Sequence, residues 1–105
     1  MRVLAVADIH GNLRSVTRLV NRVGRDSDAV LLAGDITNYG PVSVAVKVLE
    51  ALSTISRNVV YVPGNCDPPE LLRGVPGWEH ANAHLRVLDV GEYWAGGGLR
   101  LYGYR

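Results

Sequence analysis

Four polar residues stand where apolar runs stop: Asp8 and His10 after Val3 to Ala7, Asp35 after Val30 to Ala33, and Asn65 after Val59 to Val62, with Asp67 two residues further on. Two carboxylates, an imidazole and an amide oxygen form a mixed nitrogen and oxygen ligand set. Such a set suits Mn, Fe, Zn or Mg rather than soft thiolate chemistry. Asp35, central in it, could bridge two ions. Two ions about 3.5–4 Å apart lower the pKa of a bound water and clamp the attacking and leaving oxygens of a phosphoryl group. The chemistry implied is phosphoester hydrolysis. Asp8 and His10 are two apart, so extended geometry carried through Ile9 would put both on one face and turn Ile9 into the core.

Each of these residues also has an ordinary reading. Asp8 and Asp35 could be turn or cap acids, His10 a satisfied loop histidine, and Asn65 a turn amide after Gly64. What favours the metal reading is their joint occurrence at three successive strand tips. Cys66 reads as a small loop residue, because a reactive or ligating thiol wants a helix N-terminus or a histidine partner that the sequence does not show. His80 and His84, four apart, could substitute as ligands but read as exposed loop and strand-edge histidines. Trp78, Trp94 and the tyrosines read as packing.

The elements that must carry these residues follow from periodicity. Val3 to Ala7 reads as a strand. Gly11 frees the turn after it and Asn12 caps a helix marked by Leu13, Val16, Leu19, Val20 and Val23, stopped at Gly24. Asp28 to Ala33 is a second strand, Val42 to Ile55 a second helix with Ala45, Val48, Leu49, Leu52 and Ile55 on one side, and Asn58 to Val62 a third strand. Pro69 to Gly74 holds one helical turn and Gly74 to Asn82 reads as loop. His84 to Val90 and Leu99 to Tyr104 read as an antiparallel pair joined through Gly91 to Gly98. The fold class expected is α/β, a βαβαβ parallel sheet followed by an antiparallel strand pair. In an open parallel sheet ligands collect beyond the carboxyl ends of the strands, where all the candidate ligands lie.

The totals bound the rest. A chain of 105 residues is a single domain, and a net charge of +1 with 20% charged and 48% hydrophobic residues names no charged partner. Arg14, Arg18, Arg22 and Arg25 fall opposite the apolar stripe of the first helix. They form a basic row read as a solvated face, so nucleic acid is not indicated. One cysteine cannot form an internal disulfide, and the N-terminal apolar run lacks the basic leader and long apolar stretch of a signal peptide. A cytoplasmic protein without a membrane span is expected.

Three blocks, Asp8-Ile9-His10, Gly34-Asp35-Ile36-Thr37-Asn38 and Gly64-Asn65-Cys66-Asp67, resemble the D-x-H, G-D-x-x-N/D and G-N-H-D/E blocks of the calcineurin-like metallophosphoesterase superfamily, in order and near the usual spacing. The resemblance spans residues 1 to about 70 closely and the later strand pair more loosely. It implies two divalent metal ions, with Asp8 and His10 on the first, Asp35 bridging both and Asn65 on the second. It also implies hydrolysis of a phosphomonoester or phosphodiester by a metal-bridging hydroxide. Two departures stand out. Cys66 replaces the histidine that many members use to assist the leaving group or bind phosphate, and nothing after Asp67 resembles the later G-H and G-H-x-H blocks that complete the family's metal shell.

The three strand runs are apolar on both faces, as for a sheet covered on both sides. If the strands lie in chain order, both right-handed crossover helices pack on one face. The chain then resembles the first half of an αββα sandwich. Its other face calls for a homo-oligomer or a missing C-terminal half. An alternative is a catalytically weak or inactive relative that serves as a protein-binding scaffold. A nucleotide-binding module is disfavoured by the lack of a G-x-G-x-x-G loop.

Overall fold

The computed structural model describes residues 1–24, 27–56, 58–73, 85–87, 91–96 and 99–103. Chain order runs β1 (Val3–Ala7), α1 (Leu13–Val23), β2 (Ala29–Ala33), α2 (Val42–Ser53), β3 (Val59–Val62), a 3-10 turn (Pro69–Arg73), β4 (Leu85–Val87), β5 (Gly91–Gly96) and β6 (Leu99–Gly103). As expected, α1 starts where the Asn12 side chain accepts a hydrogen bond from the Ser15 N–H at 3.1 Å. It ends where the Gly24 N–H closes on the Val20 carbonyl at 3.0 Å, with Gly24 at φ 70°. Helix α2 stops at Ser53, short of the predicted Ile55. The Ile55 N–H still reaches the Leu52 carbonyl at 3.0 Å, so its side chain is buried from the turn that follows.

Strands β1, β2, β3 and β4 lie side by side in that order, all parallel, with Leu4 opposite Val30, Val6 opposite Leu32 and Leu32 opposite Tyr61. Alternate residues on one face enter a single core. Val30, Leu32, Val59 and Tyr61 are buried there with Val16 of α1 and Ala45, Val48, Leu49 and Leu52 of α2, and Leu4 and Val6 pack against them. Both helices therefore cover the same face, as right-handed crossovers between strands laid down in order require. The opposite face is apolar and largely open along β1. Val3 is 41% exposed, Ala5, Ala7 and Ala33 are exposed, and Leu31 and Val62 are half-buried, while Ala29 and Val60 are buried.

The C-terminal strands correct the sequence reading. Leu85–Val87 is not half of an antiparallel pair; it joins the parallel sheet beside β3, with Arg86 opposite Val60. The antiparallel partner of β6 is β5, with Glu92 opposite Tyr102 and Gly96 opposite Leu99. The physical reason is loop length. Strands close in sequence, as Gly91–Gly96 and Leu99–Gly103 are, pair most simply antiparallel, whereas a strand far from its neighbour in sequence can enter the sheet in parallel. A register shift between Trp94 and Gly96 marks a bulge at the turn end. The predicted loop Gly74 to Asn82, with Trp78 and His80, and His84 at the start of the next predicted strand lie outside the described residues. Among the described residues no helix is long and apolar enough to cross a membrane.

Tyr61 ties the 3-10 turn to the sheet. Its ring is buried and its hydroxyl donates to the Leu71 carbonyl at 2.7 Å. Burial first, and the nearby Asp67 charge second, push the phenol well above its usual range. A phenol whose folded pKa is raised lends stability that is complete below the unfolded value near pH 10 and is lost as pH rises through the folded one. Tyr61→Phe should cost about 1–2 kcal/mol in urea unfolding at pH 7, since the buried Leu71 carbonyl loses its donor. The alkaline decline in stability above about pH 10 should be shallower in the variant than in the parent.

Candidate metal centre

The first strand ends at Ala7, and the next residues leave strand geometry. Asp8 stands at φ 55°, His10 at φ 50° and Asp35, at the tip of β2, at φ 51°. This is the left-handed region, more accessible to Asp and His than to branched residues. Ile9 is buried at 8% exposure, as expected, but the relation of Asp8 to His10 is set by two left-handed residues around that anchor rather than by strand alternation. Backbone bonds then fasten the first loop to the second. The His10 N–H donates to the Asp35 carbonyl and the Gly11 N–H to the Ile36 carbonyl, each at 2.8 Å, so pairing of β1 with β2 continues past both strand ends.

The second loop is fastened to the third by one carboxylate. Asp67 accepts from the backbone N–H groups of Ile36 (3.1 Å), Thr37 (2.8 Å) and Gly64 (2.8 Å). The Thr37 hydroxyl lies 3.2 Å from Asp67 Oδ1 and 3.1 Å from the Cys66 carbonyl, and accepts from the Gly40 N–H at 3.0 Å. The Tyr39 N–H also donates to the Cys66 carbonyl, at 2.7 Å. Gly64 is required by proximity, because a Cβ there would fall on the Asp35 carboxylate and backbone nitrogen.

The outcome is a close group that includes an unexpected member. One ligand atom from each of His10, Asp35 and Cys66 lies within 4.8 Å of the other two. Asp35 Oδ1 accepts from the Cys66 N–H at 2.9 Å, which orients the carboxylate and keeps Oδ2 clear of that bond. His10 is exposed, while Asp35 and Cys66 are half-buried. The neighbouring Cys66 side chain, first as a polar partner and next through its charge, pushes the Tyr39 phenol above its usual value; Tyr39 itself is 80% exposed.

Of the four expected ligands, the structure thus brings His10 and Asp35 together. Asn65 is exposed in the turn beside Cys66. Asp8, also exposed, falls outside the close group and lines a cleft of about 210 Å³ with Ile9, Asn12, Ser15 and Val16. The histidine beside Cys66, not visible as a neighbour in the sequence, is His10, 56 residues earlier in the chain. Its only sequence signal was the placement of both residues at tips of strands in one parallel sheet. Imidazole nitrogen, carboxylate oxygen and thiol sulfur form a donor set that fits a divalent transition ion.

A parallel sheet with crossover helices on one face and a group of metal-type donors at its carboxyl edge defines the class: an α/β domain with a candidate metal site at its strand tips. The chain belongs to the calcineurin-like phosphoesterase family, which matches over residues 1–105 and generally uses divalent metals. It is 32% identical over 74 residues to the uncharacterized protein MJ1162 of Methanocaldococcus jannaschii, covering 69% of this chain and 31% of that protein. It is 36% identical over 89 residues to the mRNA cleavage and polyadenylation factor clp1 of Aspergillus oryzae, covering 84% of this chain and 15% of the other. A symmetrical bis(5'-nucleosyl)-tetraphosphatase of Buchnera aphidicola is 38% identical over 69 residues, covering 64% and 24%. The chain thus spans a third or less of the length of these relatives. No solved structure matches it significantly.

If Asp67 holds the loops together, Asp67→Ala should destabilise the chain by about 3 kcal/mol or more in urea unfolding, because three backbone donors lose a charged acceptor at once. Thr37→Val, which removes one hydroxyl from the same network, should cost only about 1 kcal/mol.

Proposed function

We propose that this chain is a metal-dependent phosphoesterase that hydrolyses a phosphomonoester or phosphodiester. Asp8 and His10 would hold a first divalent ion, Asp35 would bridge to a second, and Asn65 would ligate the second. The observation that carries this reading is the approach of His10 and Asp35 to within 4.8 Å at the tips of adjacent parallel strands. Family membership supports it, as does the tetraphosphatase name of one relative. When bound, the ions would supply Lewis acidity and an activated water. The chain's own contribution is positional. Backbone bonds from His10 and Gly11 hold the first loop on the second, and the Cys66 N–H fixes the Asp35 carboxylate. The Tyr39 phenol, its pKa raised, stays a neutral donor at the rim through neutral pH.

Incubation with Mn²⁺ followed by assay on a generic aryl phosphomonoester and phosphodiester tests the reading. Turnover should require the metal, should fall at least ~100-fold in Asp35→Asn and should be unchanged in Arg18→Ala, whose side chain lies on the exposed row of α1. Absence of both bound metal and turnover would overturn the reading for this chain.

The open sheet face supports a second part of the proposal, that this 105-residue chain pairs with a second copy of itself. Val3, Ala5, Ala7 and Ala33 are exposed there around Leu31, and contiguous apolar surface of this kind drives association. Sedimentation should show a mass that rises with concentration, and Leu31→Lys should shift it toward monomer. A monodisperse 11.4 kDa species at all concentrations would contradict it.

A further inference from the structure

Cys66 sits in the donor group without an assigned role: half-buried, beside an imidazole and a carboxylate, and the sole cysteine of the chain. We propose that the Cys66 thiolate is a metal ligand, so that His10, Asp35 and Cys66 form a mixed nitrogen, oxygen and sulfur site for a borderline-soft divalent ion such as Zn²⁺. This rests on the reading that His10 and Asp35 bind metal, and it adds both a ligand and a metal preference.

Distance is the first argument. Zn–S bonds are about 2.3 Å and Zn–N and Zn–O bonds about 2.0–2.2 Å, so donors on one tetrahedral ion lie roughly 3.3–3.7 Å from each other. The three donor atoms already lie within 4.8 Å, so closing on an ion requires only small side-chain adjustment. Preorganisation is the second. Cys66 and Asp35 are joined by the Cys66 N–H to Asp35 Oδ1 bond at 2.9 Å, His10 and Asp35 by the His10 N–H to Asp35 carbonyl bond at 2.8 Å, and the Cys66 carbonyl is held by Tyr39 and Thr37. All three ligand-bearing backbones are thus fixed before an ion arrives, which lowers the ordering cost of binding.

Chemistry is the third argument. Hard ions such as Mg²⁺ take oxygen ligands, whereas a thiolate selects Zn²⁺ and its neighbours. Tyr39, whose backbone N–H donates to the Cys66 carbonyl at 2.7 Å, stands beside the group in the outer shell that tunes a ligating sulfur. On binding, the S–H bond breaks, its proton passes to solvent, and the sulfur lone pair forms the bond to the ion. No electrons are transferred.

The test uses the full chain and the metal alone. Co²⁺, the spectroscopic stand-in for Zn²⁺, should give a thiolate-to-cobalt charge-transfer band in the near ultraviolet. Zn²⁺ should protect the single thiol from alkylation by iodoacetamide, while Mg²⁺ should not. Cys66→Ser, checked for folding by circular dichroism, should lose the band and bind Zn²⁺ at least ~10-fold more weakly, with a smaller loss for Mn²⁺, which prefers oxygen ligands. Metal bound without a band and without thiol protection would overturn the role of Cys66 while leaving the phosphoesterase reading intact. No binding of any of these ions would overturn both. The alkylation arm needs no variant, so it decides the question even if Cys66→Ser fails to fold.

Discussion

One carboxylate, that of Asp67, governs the geometry of the sheet's carboxyl edge. It takes the backbone N–H groups of Ile36 and Thr37 from the β2 loop and that of Gly64 from its own loop, at 2.8–3.1 Å. Backbone donors just beyond strand ends have no ladder partner, and leaving them buried and unpaired is costly. A single anion that satisfies three of them joins two loops that the Tyr39 N–H and Thr37 hydroxyl bonds to the Cys66 carbonyl also link. Because Cys66 immediately precedes Asp67 and Asp35 immediately precedes Ile36, the same clamp sets the Cys66 N–H against Asp35 Oδ1. Positioning of the donor group is a consequence of that capping.

Around the clamp the backbone is held where side-chain-bearing residues rarely stand. Asp8, His10, Asp35 and Tyr39 all have positive φ near 50–63°. Such conformations persist when surrounding contacts overdetermine them, and they cluster at functional sites. Here the overdetermining contacts are visible: Ile9 and Ile36 buried between and beside the left-handed residues, and the backbone bonds from His10, Gly11 and Tyr39. The glycine at 64 completes the arrangement by leaving room for Asp35. Rigidity of the core on one face is thereby transmitted to a polar edge on which exposed and half-buried ligand atoms converge.

The division of polar residues at this edge is informative. Asp67 and Asp35 are both strand-tip aspartates, and their residue type does not separate them. Asp67 is occupied by backbone donors, while Asp35 accepts one backbone bond and keeps its second oxygen out of it. The first is committed to holding backbone, and the second is held by a single backbone bond at the edge of the donor group. Tyr39 and Tyr61 divide similarly: one hydroxyl is exposed at the rim beside Cys66, and the other is spent inside the core on the Leu71 carbonyl.

Much of this was legible from the chain alone. Runs of branched aliphatic residues ending in Asp8, Asp35 and Asn65, alternating with 3.6-residue periodicity, determine a parallel α/β sheet, its strand tips and the residues at them, because local pattern encodes which face a side chain takes. The motif blocks at those tips carry the family. Three matters were decided only by the tertiary structure. The partner of β6 turned on pairing with the strand closest in sequence rather than on strand composition; the different hydrogen bonding of Asp35 and Asp67 turned on which backbone donors each could reach. The nearness of Cys66 to His10 depends on a parallel register between strands far apart in sequence. Periodicity reports the side of an element a residue occupies; distances between loop residues at different strand ends arise only when the strands are packed and their loops are tied together.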